Sequence, residues 1–154
     1  MIRVDHLSLS YATDRGPLMA LRDVSIHADA GEVVGIVGES GCGKSTLALA
    51  LPMLLPANAR ITGGSIQLDG RDLVTLTESA RRPLRGPGIA MVFQDPMTAF
   101  NPVLTIGRQL VDAQVNLNRP RHQAEAAALA MLARVGLPDP ATVMARHVHE
   151  LSGG

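Results

Sequence analysis

Apolar and polar positions change period several times along this 154-residue chain. Ile2–Leu9 and Leu21–Ala28 read as short β runs, and Asp14-Arg15-Gly16-Pro17 between them supplies turn chemistry. Asp29-Ala30-Gly31 is a second turn. Val33–Val37 follows as a compact β-branched run, the pattern of a strand buried on both faces. Gly43–Leu51 has a helical pattern that Pro52 should end. Ser65–Leu68 alternates as a strand and meets a turn at Asp69-Gly70. Thr75–Glu78 has capping-box spacing and predicts a short helix through Arg82. Ile89–Phe93 is a second buried-strand candidate.

After Phe93 the texture changes. Pro96–Pro102 is loop-like, and helices are expected over 106–117 and 124–135. In the second, Ala124, Ala127, Ala128, Met131, Leu132 and Val135 share one face, and Gly136 is a stop. A third short helix is expected within 140–147. Mixed strands, a strand–loop–helix unit, one more strand and a helical region make an α/β chain with a helical appendage.

Composition narrows the possibilities. Apolar residues are 46% and charged residues 18%, an ordinary globular balance. Fourteen basic and fourteen acidic side chains cancel, so net charge gives no reason to expect a nucleic-acid partner. A single cysteine excludes an intramolecular disulfide framework and a cysteine-based zinc cluster. The longest uncharged run, Ser45–Ala59, is interrupted by Pro52 and Pro56 and is too short to span a bilayer. MIRVDHLS at the start carries Arg3 and Asp5 and no apolar block, which argues against a secretory leader and for a soluble cytoplasmic chain. Aromatics are only Tyr11, Phe93 and Phe100, and Lys44 is the one lysine among fourteen basic residues.

That lysine lies in Gly38-Glu39-Ser40-Gly41-Cys42-Gly43-Lys44-Ser45, a full match to G-x-x-x-x-G-K-[ST]. A phosphate chain is multiply charged, so a loop that binds it must offer several backbone N–H groups without side chains in the way. Gly38, Gly41 and Gly43 allow that approach, with the amides of Ser40 and Cys42 beside them. The helix that follows turns its free N–H groups the same way. Lys44 can reach the β- and γ-phosphates, Ser45 can ligate Mg²⁺, and Thr46 can donate towards the α-phosphate. Cys42 occupies an unspecified position of the motif and reads as a small tolerated side chain. The candidate cofactors are ATP and Mg²⁺.

Such a loop serves many reactions, and the residues downstream discriminate among them. An NTPase needs an apolar strand ending in Asp for the Mg²⁺ shell. Ile66–Asp69 is weak because Asp69-Gly70 reads as a turn, and in Ile89–Asp95 the residue Gln94 stands where the Asp should be. A self-contained kinase or small NTPase with Asp95 as its Mg²⁺-shell acid is one reading. A non-catalytic binding fragment is another.

A third reading comes from resemblance. The stretch from Met91 to Thr105, MVFQDPMTAFNPVLT, resembles the Q-loop of ABC-transporter ATP-binding subunits, with wording closest to the peptide/nickel importer branch. The final HELSGG resembles the start of that family's LSGGQ signature. The implied fold is an α/β P-loop NTPase: a RecA-like core with an antiparallel β subdomain over 1–95, then the start of an α-helical subdomain over 96–154. The resemblance implies that Tyr11 stacks on adenine, although a tyrosine at the end of an amphipathic strand equally fits a packing role. It implies that Gln94 joins the Mg²⁺ and attacking-water shell as a catalytic residue. Phe100 would help form the groove for a membrane subunit, or anchor the helical region. Ser152, Gly153 and Gly154 would contact the γ-phosphate held by an opposite subunit.

The implied function is energy coupling in an importer of peptides, nickel or similar solutes. The implied partners are a second ATP-binding subunit, transmembrane permease subunits and, indirectly, a solute-binding protein, at the cytoplasmic face of the membrane. The signature glutamine, the Walker B Asp, the catalytic Glu, the D-loop and the switch His are not found. The sequence therefore reads as the N-terminal part of an ATP-binding subunit, incomplete at the C-terminus and not expected to hydrolyse ATP by itself.

Overall fold

The computed structural model describes residues 1–94, 99–116 and 118–151. The chain divides into two compact units, Met1–Met91 and Val92–Gly154. No helix among the described residues is long and apolar enough to cross a membrane.

The first unit is built on β1 (Ile2–Thr13), β2 (Gly16–Ala28), β3 (Ala59–Leu68) and the two-residue β4 (Arg71–Asp72). Their order is β2-β1-β3-β4 with every pairing antiparallel. The predicted turns form: Thr13 pairs with Gly16 across Asp14-Arg15, and Asp69 and Gly70 reverse the chain at φ values of 48° and 79°. Both strands of the first hairpin, and β3, run longer than the sequence pattern suggests. β3 absorbs Gly63-Gly64, because a bulge in β1 stands opposite that pair.

At this bulge the register shifts between Val4 and Leu7, which lets Leu7 and Leu9 follow Val4 into the core. His6, Asp23 and Gly64 take φ values of 50°, 53° and 86°. Serine hydroxyls accept the amides of the bulged strands: His6 N donates to Ser25 Oγ and Asp23 N to Ser8 Oγ. His6 Nδ1 and Asp23 Oδ1 stand 2.7 Å apart at the surface.

Helix α1 (Lys44–Ala50) contributes Leu47 and Ala50 to the same core as Val4, Leu7, Leu9, Leu21 and Ile66. Arg85 secures the chain beyond the helix. Its guanidinium donates to the carbonyls of Pro52 at 2.9 Å and Met53 at 3.1 Å and pairs with Glu78. The short helix α2 (Glu78–Arg81) is shifted from the predicted position, starting from Thr77 with no side-chain cap. Thr75 bonds Asp72 O instead, so the capping-box expectation is not met.

Two predicted strands do not form. Residues 33–37 and 90–93 have no hydrogen-bonded neighbour strand among the described residues, and Ile89 makes only an isolated bridge to Arg85. Val33 and Val37 are 96% exposed, whereas Val34 and Ile36 are about half as exposed. That alternation is the mark of an extended segment covered on one side. The apolar run supplies the composition of a buried strand, but a strand exists only through ladder partners.

The second unit is helical: α3 (Ile106–Val115), α4 (Arg121–Arg134) and α5 (Pro140–Ala145). Thr105 caps α3 by accepting from Arg108 N, and Asp139 caps α5 by accepting from Thr142 N. α4 ends as expected at Gly136 (φ 81°), with Gly136 N bonded to Ala133 O and Leu137 N to Leu132 O. α4 begins at Arg121, three residues before the predicted start. Its buried stripe is narrower than the predicted face: Ala124, Ala128 and Leu132 are buried, while Met131 and Val135 are exposed. This i, i+4 row is the part of α4 that is buried, while Arg121 reaches Asp112 of α3 at the surface, 3.6 Å away. Gly107 lets α3 and α5 approach, since a Cβ there would stand 2.7 Å from Met144 O.

Replacing Gly64 with Ala places a methyl group 2.4 Å from His6 O and 2.5 Å from Asp5 O in a left-handed backbone. Gly64→Ala should cost about 1–3 kcal/mol in urea unfolding of the chain. A second expectation concerns acid. The Arg85 hydrogen bond holds the Glu78 carboxyl below its ordinary 4.5, Thr142 holds Asp139 below 3.8, and His147 N holds Glu150 below 4.5. Depressed folded-state values stabilise the fold fully above the ordinary carboxylate range, and that stability is lost as pH falls through the lowered values. The melting midpoint should drop as pH falls below the ordinary carboxylate values of 4.5 and 3.8, and the E78Q/D139N/E150Q variant should show a shallower drop.

Candidate functional site: the glycine-rich turn

The turn before α1 is held by its own lysine. Lys44 Nζ donates to Gly38 O at 2.7 Å and Glu39 O at 2.5 Å, and lies 3.5 Å from Cys42 Sγ. The ammonium is thus folded over the turn, and the two carbonyls point inward. Cys42 N to Glu39 O, at 3.4 Å, is the backbone bond within the turn among the described residues. Most amides of residues 38–43 are left available to a ligand.

Two glycines carry this shape. Gly41 and Gly43 have φ values of 81° and 99°, where a side chain would be strained. Gly43 is also packed: a Cβ there would stand 2.8 Å from Ala20 O and 3.0 Å from Leu21 Cδ2. The mouth of α1 therefore sits directly on β2. Gly38 faces Cys42, whose sulfur would lie 2.8 Å from an added Cβ. Behind the turn, Leu21, Val24 and Ile26 of β2 line a groove of about 230 Å³ together with Ile36 and Leu47.

The first turn of α1 has no acidic residue and no side-chain cap, so its N–H groups lack both an internal acceptor and a competing negative charge. Ser45 is exposed beside Lys44. Thr46 Oγ1 stands 3.1 Å from Tyr11 OH. Tyr11 is half-buried against the core of the first unit, in a β1 segment paired with Leu18 and Ala59. No group of three or more His, Cys, Asp or Glu among the described residues could hold a metal by itself. The exposed Ser45 hydroxyl is an oxygen donor of the kind that Mg²⁺ accepts.

The turn thus gathers Gly38, Ser40, Gly41, Cys42, Gly43, Lys44, Ser45 and Thr46, with Tyr11 alongside. Gln94 belongs to the second unit and is exposed in a bend. Phe100 is half-buried ahead of a loop that Gln109 holds through Asn101 N, Asn101 O and Leu104 O. Asp95, Ser152, Gly153 and Gly154 lie outside the described residues. His147 and His149 stack with centroids 5.5 Å apart, and His147 bonds Glu150 in a local cap.

With this geometry in view, comparison with known proteins is decisive. The ABC transporter family pattern matches residues 21–154. The chain belongs to the ABC transporter family. It is 41% identical to the dipeptide transport ATP-binding protein DppD of Bacillus subtilis, an alignment covering all of this chain and 47% of that protein. It is also 41% identical to the oligopeptide transport ATP-binding protein OppD of Mycobacterium tuberculosis, covering all of this chain and 25% of the relative. The chain thus spans about half the length, or less, of the curated relatives it matches. Among solved structures, the ATP-binding cassette MJ0796, in a dimeric post-hydrolysis state bound to ADP and Pi, superposes with a TM-score of 0.81 at 22% identity. That match covers 99% of this chain and 64% of the other. The cassette fold is thereby shown, and the self-contained kinase reading loses its support.

Sequence reasoning found the turn but missed two contacts that seat it, Gly43 on Ala20 and Tyr11 on Thr46. The scarcity of aromatics was the one signal pointing towards the second. Gly43→Ala should distort the turn and cost about 1–3 kcal/mol of stability in denaturant unfolding.

Proposed function

We propose that this chain is the nucleotide-binding part of an ATPase subunit that energises a peptide importer. The observation that carries the reading is the turn over 38–45, with a lysine folded across it, two left-handed glycines and an uncapped helix start. A multiply charged phosphate chain fits that arrangement better than any neutral ligand, because free amides and an ammonium converge with no carboxylate in the first turn.

Gly38, Ser40, Gly41, Cys42 and Gly43 would present backbone amides to the phosphates of ATP. Lys44 would exchange its bonds to Gly38 O and Glu39 O, in part, for bonds to the β- and γ-phosphates. Ser45 would ligate Mg²⁺, and Thr46 would meet the α-phosphate. Bound Mg²⁺ neutralises phosphate charge. Tyr11 would pack against adenine, and Gln94 would orient water near the metal as the catalytic contribution of this chain. Ser152, Gly153 and Gly154 would close on the γ-phosphate held by a second ATP-binding subunit.

The relatives named for dipeptide and oligopeptide transport support peptides as the solute class. The dimeric state of the solved neighbour supports a two-subunit assembly. Transmembrane permease subunits would be the mechanical partners, contacted around Phe100, with a solute-binding protein beyond them. The chain would work at the cytoplasmic face of the membrane, without nucleic acid. The two parts proposed for it are a nucleotide-binding core over 1–95 and a helical part over 96–154.

The test is nucleotide binding by the purified chain. Mg-ATP should bind in titration calorimetry, and Lys44→Ala should weaken it by roughly 10- to 100-fold, the loss expected for charge-assisted hydrogen bonds. Equal affinity in the variant would overturn the reading.

A further inference from the structure

We infer that Tyr11 is a positioning residue for the phosphate site, acting through its hydroxyl on Thr46. This rests on the nucleotide reading above and is separate from any contact between the tyrosine ring and a base. Tyr11 OH and Thr46 Oγ1 are 3.1 Å apart in a half-buried setting, where the bond is shielded from water on one side.

The backbone beneath Tyr11 is firmly placed. It lies in the central ladder of the sheet, paired with Leu18 on one side and Ala59 on the other. Just beyond it, Ala12 N donates to Asn58 O at 2.8 Å, and Asn58 Nδ2 returns a bond to Ala12 O. The ring packs against the core that also receives Leu47. A tyrosine held at both backbone and ring offers its hydroxyl at a fixed point.

Thr46 has greater need of such a point. It stands in the first turn of α1, two residues after Lys44, and that turn has no side-chain cap. Its hydroxyl would otherwise turn freely or bond back to the preceding turn of backbone. The Tyr11 contact fixes the Thr46 rotamer and ties the ligand-facing turn to the rigid sheet. Ordering this group before a ligand arrives lowers the entropic cost of binding.

The experiment uses two probes, Mg-ATP and inorganic tripolyphosphate with Mg²⁺, on the wild-type chain and on Lys44→Ala, Tyr11→Phe, Thr46→Val, Thr46→Ser and the Tyr11→Phe/Thr46→Val pair. Tyr11→Phe keeps the ring and removes only the hydroxyl. It should weaken both probes by the same factor, roughly 3- to 10-fold, as expected for one hydrogen bond. The pair should lose no more than the worse single variant, and Thr46→Ser should recover most of the Thr46→Val loss. Thermal melting of Tyr11→Phe without ligand checks that the fold is intact. Unchanged tripolyphosphate affinity in Tyr11→Phe, or additive losses in the pair, would overturn the inference while leaving the nucleotide reading standing. Failure of that reading would show differently, as wild-type binding no tighter than Lys44→Ala.

Discussion

The contact between Gly43 and β2 is the constraint on which the first unit's chemistry depends. Removing a side chain at one residue lets the start of α1 rest on the Ala20 carbonyl and Leu21. From that seat Leu47 and Ala50 reach the sheet core. The same seat aims the first N–H groups of the helix outward and leaves Lys44 to fold over the turn. A larger residue would push the helix off the sheet, and the turn would lose both its floor and its direction. Stability and the geometry of the turn therefore share one close approach.

Backbone hydrogen bonding separates what folds from what does not. β1, β2 and β3 meet their partners through a tight hairpin and a central ladder, and the bulge amides are taken up by Ser8 and Ser25. Arg85 likewise accounts for the Pro52 and Met53 carbonyls beyond α1. Residues 33–37 have equal or better β composition but no ladder partner among the described residues, and their outer valines stand in solvent. Hydrophobic character brings such a run to the edge of a core, and only paired N–H and C=O groups make it a strand.

The helical unit follows a different logic, in which local signals do most of the work. Thr105, Asp139 and Gly136 start or stop helices with bonds reaching no further than five residues. Tertiary packing then decides how much of each face is used. Gly107 admits Met144, and the row Ala124–Ala128–Leu132 is buried while Met131 and Val135 remain outside.

Much of this protein was therefore legible in its sequence: the first hairpin, α1 and its end at Pro52, the Asp69-Gly70 turn, the three later helices, and the glycine-rich turn with the family it marks. Those features rest on interactions a few residues apart, or on backbone freedom that glycine and proline declare directly. The tertiary structure alone decided that β1 carries a bulge opposite Gly64 and that the hydroxyls of Tyr11 and Thr46 meet. Each of these depends on which distant backbone or side chain stands opposite, and hydrophobic periodicity does not encode that choice.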